Sequence, residues 1–227
     1  MKNLNVQNSY VQGIVYNDTA KSVKSRTAVV FNGGIAGFNK GTVEKTSFSG
    51  ALVSYATGFF DYSSESNFYA YAYSGGIVGY NAGLISESKA QLGSIQSSSN
   101  GASSAGRTIL YSGGIAGYLE TSGSIVGSIS NMTIEWPSSS LYYYRDYSGG
   151  IAAYAETSSL ISNCKNLGGV KGDEAGGIVG RTESASIINC TNSGSVKGYL
   201  YSGGVVGYVL HRVGDEQHQP AGLAVVF

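Results

Sequence analysis

The sequence is short of almost every residue on which catalysis or electrostatic binding usually rests. Lys+Arg and Asp+Glu each number 14, so the formal net charge is zero. Nothing therefore argues for broad attraction to nucleic acid or to an anionic membrane. No apolar run reaches the roughly 18 residues that a membrane span needs. The only histidines, His211 and His218, stand in a Gln- and Glu-rich stretch and read as solvated. No H-E-x-x-H, G-x-S-x-G or phosphate loop occurs, because no lysine follows the glycine pairs at the required spacing. The chain reads as non-enzymatic. Its opening, Met1-Lys2-Asn3-Leu4-Asn5, also lacks the apolar segment of a secretion signal.

Proline and cysteine occur only twice each, against 34 glycines and 18 tyrosines, a balance that fits neither disorder nor a helical protein. The glycines fall in a repeat. Tyr73-Ser74-Gly75-Gly76-Ile77-Val78-Gly79-Tyr80 returns as Phe31 to Phe38, Tyr111 to Tyr118, Tyr147 to Tyr154 and Tyr201 to Tyr208. A sixth copy, Glu174 to Arg181, keeps the glycines but not the aromatics. A fixed unit with variable additions marks a stacked repeat whose additions are loops.

Each copy continues with a turn such as Asn39-Lys40-Gly41 or Asn81-Ala82-Gly83. A β-branched strand such as Leu160-Ile161-Ser162 follows, and a short strand around Val170 or Val196 completes the unit. Three short strands per unit predict an all-β fold, a parallel β-helix of about six coils. Residues 1–209 make up the repeats and 210–227 a divergent tail or cap. Ile35, Ile77, Ile115, Ile151, Ile178 and Val205 form a column without a polar exception, so it points inward. Alternation turns Phe38, Tyr80, Tyr118, Tyr154, Arg181 and Tyr208 outward. An arginine in that column implies a wet position, and the small residues Ala36, Val78, Ala116, Ala152, Val179 and Val206 are expected beside it on the outer face.

Three sets of residues are candidates for chemistry. The insertions before each glycine pair carry Tyr62, Tyr69, Tyr71, Tyr142, Tyr143 and Tyr144 among serines. Insertions at one corner gather on one face, and tyrosine with serine makes an adaptable contact surface for a glycan or protein ligand. The tyrosines of the repeat itself read as a stabilising ladder. Glu120, Glu156 and Glu183 each follow the first glycine of their copy by seven residues, which stacks them about 4.8 Å apart. They either fan into water or hold a cation, and calcium suits carboxylate oxygens. Cys164 and Cys190 occupy equivalent places in consecutive copies. Their separation permits a disulfide, but parallel side chains give poor bridge geometry, and two free thiols is the favoured reading.

The pattern G-G-I-V-G-x-N-x-G-x-I-x-N-C, matched best from Gly75, Gly149 and Gly176, resembles the GLUG repeat. That resemblance covers most of residues 4–209. It implies a β-solenoid from a surface or secreted protein, adhesin-like or akin to the non-catalytic parts of immunoglobulin A-specific metallopeptidases. It transfers no catalytic residue, since the motif has none. The expected function is an extracellular or cell-surface structural or adhesive module that associates head to tail into filaments. The alternative is a carbohydrate-active β-helix, a polysaccharide lyase or hydrolase, which requires an acid/base set in one groove.

Overall fold

Parallel strands stack because each coil's hydrocarbon columns continue those of the coil before. The computed structural model describes residues 1–16, 25–57, 67–99, 107–135, 144–210 and 225–226. All regular structure in them is β, and the strands pair in parallel in three sheets. One sheet stacks the six strands from Ala36–Asn39 to Val206–Val209. A second stacks six from Thr42–Glu44 to Ser186–Ile188 and Val225–Val226. The third has twelve strands. The fold is a parallel β-helix of six coils.

The core is a set of stacked hydrocarbon columns. Ile77, Ile115, Ile151 and Ile178 are fully buried, with Ile35 and Val205 packed on at the two ends, so that column points inward. Val43, Ile85, Ile125, Ile161 and Ile187 form a second column in register. Val11, Leu52, Ile95, Ile134, Val170 and Val196 form a third. The small residues differ from expectation. Val78, Ala116, Ala152 and Val179 lie in the main core, not on the outer face. The glycine pair is a turn, so the strand phase restarts at Ala36 and its counterparts.

Sterics explain the glycine pair. A Cβ on Gly75 would sit 1.9 Å from the Val78 carbonyl oxygen, inside the turn. A Cβ on Gly114 would sit 2.1 Å from the Gly150 carbonyl oxygen of the next coil. Only hydrogen fits either gap.

Another turn uses the left-handed backbone region. Lys45, Glu87, Gly127, Asn163 and Asn189, one per coil, have φ of 53°, 47°, 60°, 54° and 52°. Asparagine and glycine enter that region at little cost, whereas Lys45 and Glu87 hold it against the strain of a longer side chain. The residue after each is Thr46, Ser88, Ser128, Cys164 or Cys190. Thr46 Oγ1 donates to Ser88 Oγ at 3.1 Å, and Cys164 Sγ–H points at the Ser162 carbonyl at 3.2 Å. Both cysteines are free thiols in a column otherwise held by hydroxyls.

The insertions are not loops along their described length. Strands Asn5–Tyr16, Ser47–Thr57 and Lys89–Ser99 run outward from the solenoid. Strands Ser25–Gly33, Asn67–Gly75, Arg107–Gly113 and Tyr144–Gly149 run back. Each set stacks in parallel, so the third sheet splits into a two-layered arm. Its small core is Ala56, Ala70, Ala72 and Leu110, with Val30 against it. Beside them runs a buried hydroxyl row. Asn32 Nδ2 donates to Ser54 Oγ at 2.9 Å, Ser74 Oγ to Ser54 Oγ at 2.7 Å, and Ser97 and Ser112 share a bond of 2.9 Å. The fifth coil has no insertion, and its strand Val170–Gly176 closes the arm by pairing with both layers.

Met1 to Asn3 pair with Thr42 and Glu44 as part of a preceding half-coil. At the other end Val225 and Val226 stand in register with Ile187 and Ile188, so the end of the tail continues the second sheet.

Candidate functional site

Two residues of every copy, seven apart, flank the glycine turn, and the bend brings their side chains together on the outside of the solenoid. One column is Phe31, Tyr73, Tyr111, Tyr147, Glu174 and Tyr201. The other is Phe38, Tyr80, Tyr118, Tyr154, Arg181 and Tyr208. Rings stack along each column: Tyr73 on Tyr111 at 4.7 Å, Tyr80 on Tyr118 at 4.9 Å, Tyr118 on Tyr154 at 5.1 Å. Across the corner they meet edge to face, Tyr73 with Tyr80 at 5.6 Å and Tyr111 with Tyr118 at 5.5 Å. Both geometries suit the ring quadrupole. The outward column is therefore largely covered, with Tyr154 only 9% exposed.

Arg181 is not wet. Its guanidinium lies 5.1 Å from the Tyr147 ring and 4.9 Å from the Tyr208 ring. Nη1 donates to Glu174 Oε1 at 2.9 Å, and the Glu174 side chain is 3% exposed. The ion pair fills the place of an aromatic pair and continues the ladder by cation–π contact. The expectation of a solvated arginine fails because a second column faces it across the glycine turn. The signal was present: the one copy without aromatics loses both at once and gains opposite charges.

The glutamate column ties successive coils. Glu156 Oε1 accepts from the Tyr118 hydroxyl at 2.5 Å, and Oε2 accepts from the Thr121 amide at 2.8 Å and its hydroxyl at 2.6 Å. Glu183 repeats this one coil on, with Tyr154 at 2.8 Å and Thr157 at 3.3 Å. Glu120 begins the column, its amide donating to the Asn81 carbonyl at 2.9 Å. These turns, Glu-Thr-Ser at Glu120 and Glu156 and Glu-Ser-Ala at Glu183, replace the asparagine turns of the earlier coils, where Asn39 Nδ2 donates to Asn81 Oδ1 at 2.7 Å. Burial first, then the Glu156 bond, raises the Tyr118 phenol above its ordinary range. Burial, then the charges of Glu120 and Glu156, push Tyr80 up to about 12. Among the described residues no group of three or more His, Cys, Asp or Glu is disposed to hold a metal.

Of the inserted tyrosines, Tyr62, Tyr142 and Tyr143 lie outside the described residues, as do His211 and His218. Tyr144 begins the strand Tyr144–Gly149, its backbone in register with Thr108. Tyr69 and Tyr71 are half-buried on the outer face of the arm. They stack on each other at 6.3 Å, and Tyr71 stacks on Tyr73 at 6.1 Å with 4° between the planes. The structure thus joins these two to the ladder and does not set them apart from it.

A solenoid with glycine corners, an aromatic outer seam and polar turn columns is a repeat module of the parallel β-helix class. A family model described as the GLUG motif matches residues 174–197, the copy that carries Glu174 and Arg181. The resemblance read from the repeats is borne out at that copy. Comparison with curated proteins and with solved structures gives no match.

Proposed function

We propose that the chain is a non-enzymatic structural or adhesive module of an extracellular or cell-surface protein. The observation that carries this reading is the destination of the recurring polar groups. The asparagine, serine and glutamate columns all serve as ties between coils. The repeat is thus devoted to a rigid stack, and the arm that projects from it is what a partner meets. Tyr69, Tyr71 and Tyr73 turn their faces to one another, so a partner meets ring edges. Edges suit a protein surface or sugar hydroxyls better than flat stacking on a sugar ring.

The test is a glycan array and a panel of extracellular matrix proteins, probed with wild type and with Tyr69→Ser/Tyr71→Ser. Binding that disappears while the variant stays folded supports the reading. Turnover of any polysaccharide in the same panel favours the carbohydrate-active class and overturns it. Calcium would have to displace Tyr118 and Thr121 from Glu156. A rise in Tm with calcium that Glu156→Gln abolishes supports a cation there.

Head-to-tail association into filaments is part of the same proposal. Leu4, Tyr10 and Ile14 are exposed on the first coil, and Tyr199, Leu200 and Val209 on the last. An end-to-end contact of this kind is heterologous and need not close. The last coil carries no arm, so such a contact continues the solenoid and interrupts the arm. Light scattering over a concentration series, with Val6→Lys/Val11→Lys as the blocked control, tests it. A wild type that stays monomeric at high concentration sinks it.

A further inference from the structure

Among the described residues, one buried charged side chain serves neither the ladder nor the coil ties. Asp146 stands on the returning strand Tyr144–Gly149, next after Leu110 in the column Val30, Ala72, Leu110. Those three belong to the apolar core of the arm. A carboxyl group therefore occupies the place that three earlier coils give to a hydrocarbon, and the residue is 1% exposed. Its Oδ2 accepts from Ser148 Oγ at 3.2 Å, whereas Oδ1 is buried without a hydrogen-bond partner. The next coil packs straight against it. The Asp146 amide donates to Asp173 Oδ2 at 3.3 Å, and a Cβ on Gly172 would come within 2.7 Å of Asp146 Oδ2.

The surrounding strands bring no cation to it among the described side chains. On its own strand Arg145 is largely exposed, with its guanidinium 3.9 Å from Glu174. On the strand below, Lys171 pairs with Glu135 at 2.9 Å, and Asp173 and Glu174 add negative charge. Arg181 is held by Glu174. On the strand above, the side chain of Arg107 lies outside the described ones. An ionised carboxylate there would be a buried charge with one free oxygen, which a protein avoids by holding the proton.

We propose that Asp146 is a pH-sensitive latch at the root of the arm. Neutral, it completes the arm's column against the fifth coil. Ionised, it releases the strand Tyr144–Gly149 from that coil.

Burial pushes the Asp146 carboxyl well above the ordinary carboxylate range, the Asp173 charge adds to it, and the Ser148 bond offsets only part. Burial raises Asp173 and Glu174 as well, so they act in the same direction. The sign follows from linkage. The folded chain keeps a proton that the unfolded chain releases from about pH 4 upward. The stabilisation is full in acid and is lost as pH rises through the folded value. Each pH unit in that window raises the unfolding equilibrium constant by up to about tenfold.

The test compares the full chain with Asp146→Asn, which keeps the shape, and Asp146→Leu, which continues the hydrocarbon column. Wild-type Tm should fall from about pH 5 to 8, since that window lies above the unfolded carboxyl value. Both variants should fall less and should equal or exceed wild type at pH 8. The infrared carbonyl stretch of a protonated carboxyl should be present in wild type at pH 7 and absent in Asp146→Asn. Amide exchange in Tyr144–Gly149, corrected for the intrinsic rate, should quicken with pH in wild type alone. A wild type without that carbonyl band at pH 7, or two variants both less stable than wild type at pH 8, overturns the latch.

Discussion

Arg181 occupies a position that four copies give to tyrosine and one to phenylalanine, and it keeps the function of that position while reversing its chemistry. The rings of Tyr147 and Tyr208 cover it from the neighbouring coils and Glu174 neutralises it from the side. Removing one partner leaves an uncompensated buried charge. Glu174→Ala or Arg181→Leu should therefore lose about 3–5 kcal/mol in urea unfolding. The double change Glu174→Tyr/Arg181→Tyr restores both columns and should equal wild type or exceed it by about 1–4 kcal/mol. A double variant as weak as the singles would show that the ion pair holds something beyond the ladder. Glycines give a second contrast at this scale. Gly114 faces the Gly150 carbonyl, whereas Gly204, in the last coil, has nothing within 4 Å of the place its Cβ would take. Gly204→Ala should stay within about 0.5 kcal/mol of wild type, and Gly114→Ala should lose at least about 1–3 kcal/mol. Equal losses would mean that the glycines are needed for backbone freedom and not for clearance.

At the scale of the element, the outer seam combines ring stacking with hydroxyl–carboxylate ties, and one residue separates them. Tyr118 stacks between Tyr80 and Tyr154 while its hydroxyl donates to Glu156. Tyr118→Phe removes the bond alone and leaves Glu156 the two Thr121 donors, so a loss of about 1 kcal/mol is expected. Tyr118→Ala also removes the ring and should lose about 3–5 kcal/mol. If both variants lose the same amount by denaturant melting, the ladder is held by the ties and stacking adds nothing. The arm obeys the same logic on a smaller core. Tyr69-Ala70-Tyr71-Ala72-Tyr73-Ser74 alternates, with Ala70, Ala72 and Ser74 buried between the layers and the rings outside. That period of two is the mark of a half-buried strand, and it is readable in the sequence of the insertion.

For the whole molecule, cooperativity comes from contacts between adjacent coils, so an end is as stable as what covers it. Val225 and Val226 pair with Ile187 and Ile188, and Ile187 is 2% exposed. Deleting residues 211–227 uncovers that edge and should lose about 1–3 kcal/mol, the worth of one buried isoleucine. Calorimetry of the shortened chain checks this, and an unchanged Tm would mean that the tail contributes no cover. Hydrogen exchange should likewise rank the strands, slowest for Ile115 and Ile151 in the middle and fastest for Asn5–Tyr16 and Val196–Gly203 at the edges.

The sequence alone determined the solenoid, because stacking keeps the central core columns apolar from coil to coil. An unbroken column of isoleucine and valine has one explanation, and a glycine pair repeated six times marks six corners. The left-handed turn was not legible in the same way, because Lys45 and Glu87 hold in two coils the position that Asn163 and Asn189 hold in two others. Sequence alone could not determine which columns face one another. Phe31 to Tyr201 and Phe38 to Tyr208 become partners only when the glycine turn folds their outer faces together, and from that follow the burial of Arg181 and its pairing with Glu174. The same holds for Asp146, a polar residue between Arg145 and Tyr147 in the chain. It lies in the arm's apolar column only because the returning strand stacks it on Leu110 and the fifth coil closes over it. Columns are a property of one strand position repeated; burial is a property of two surfaces meeting, and the tertiary structure decides that.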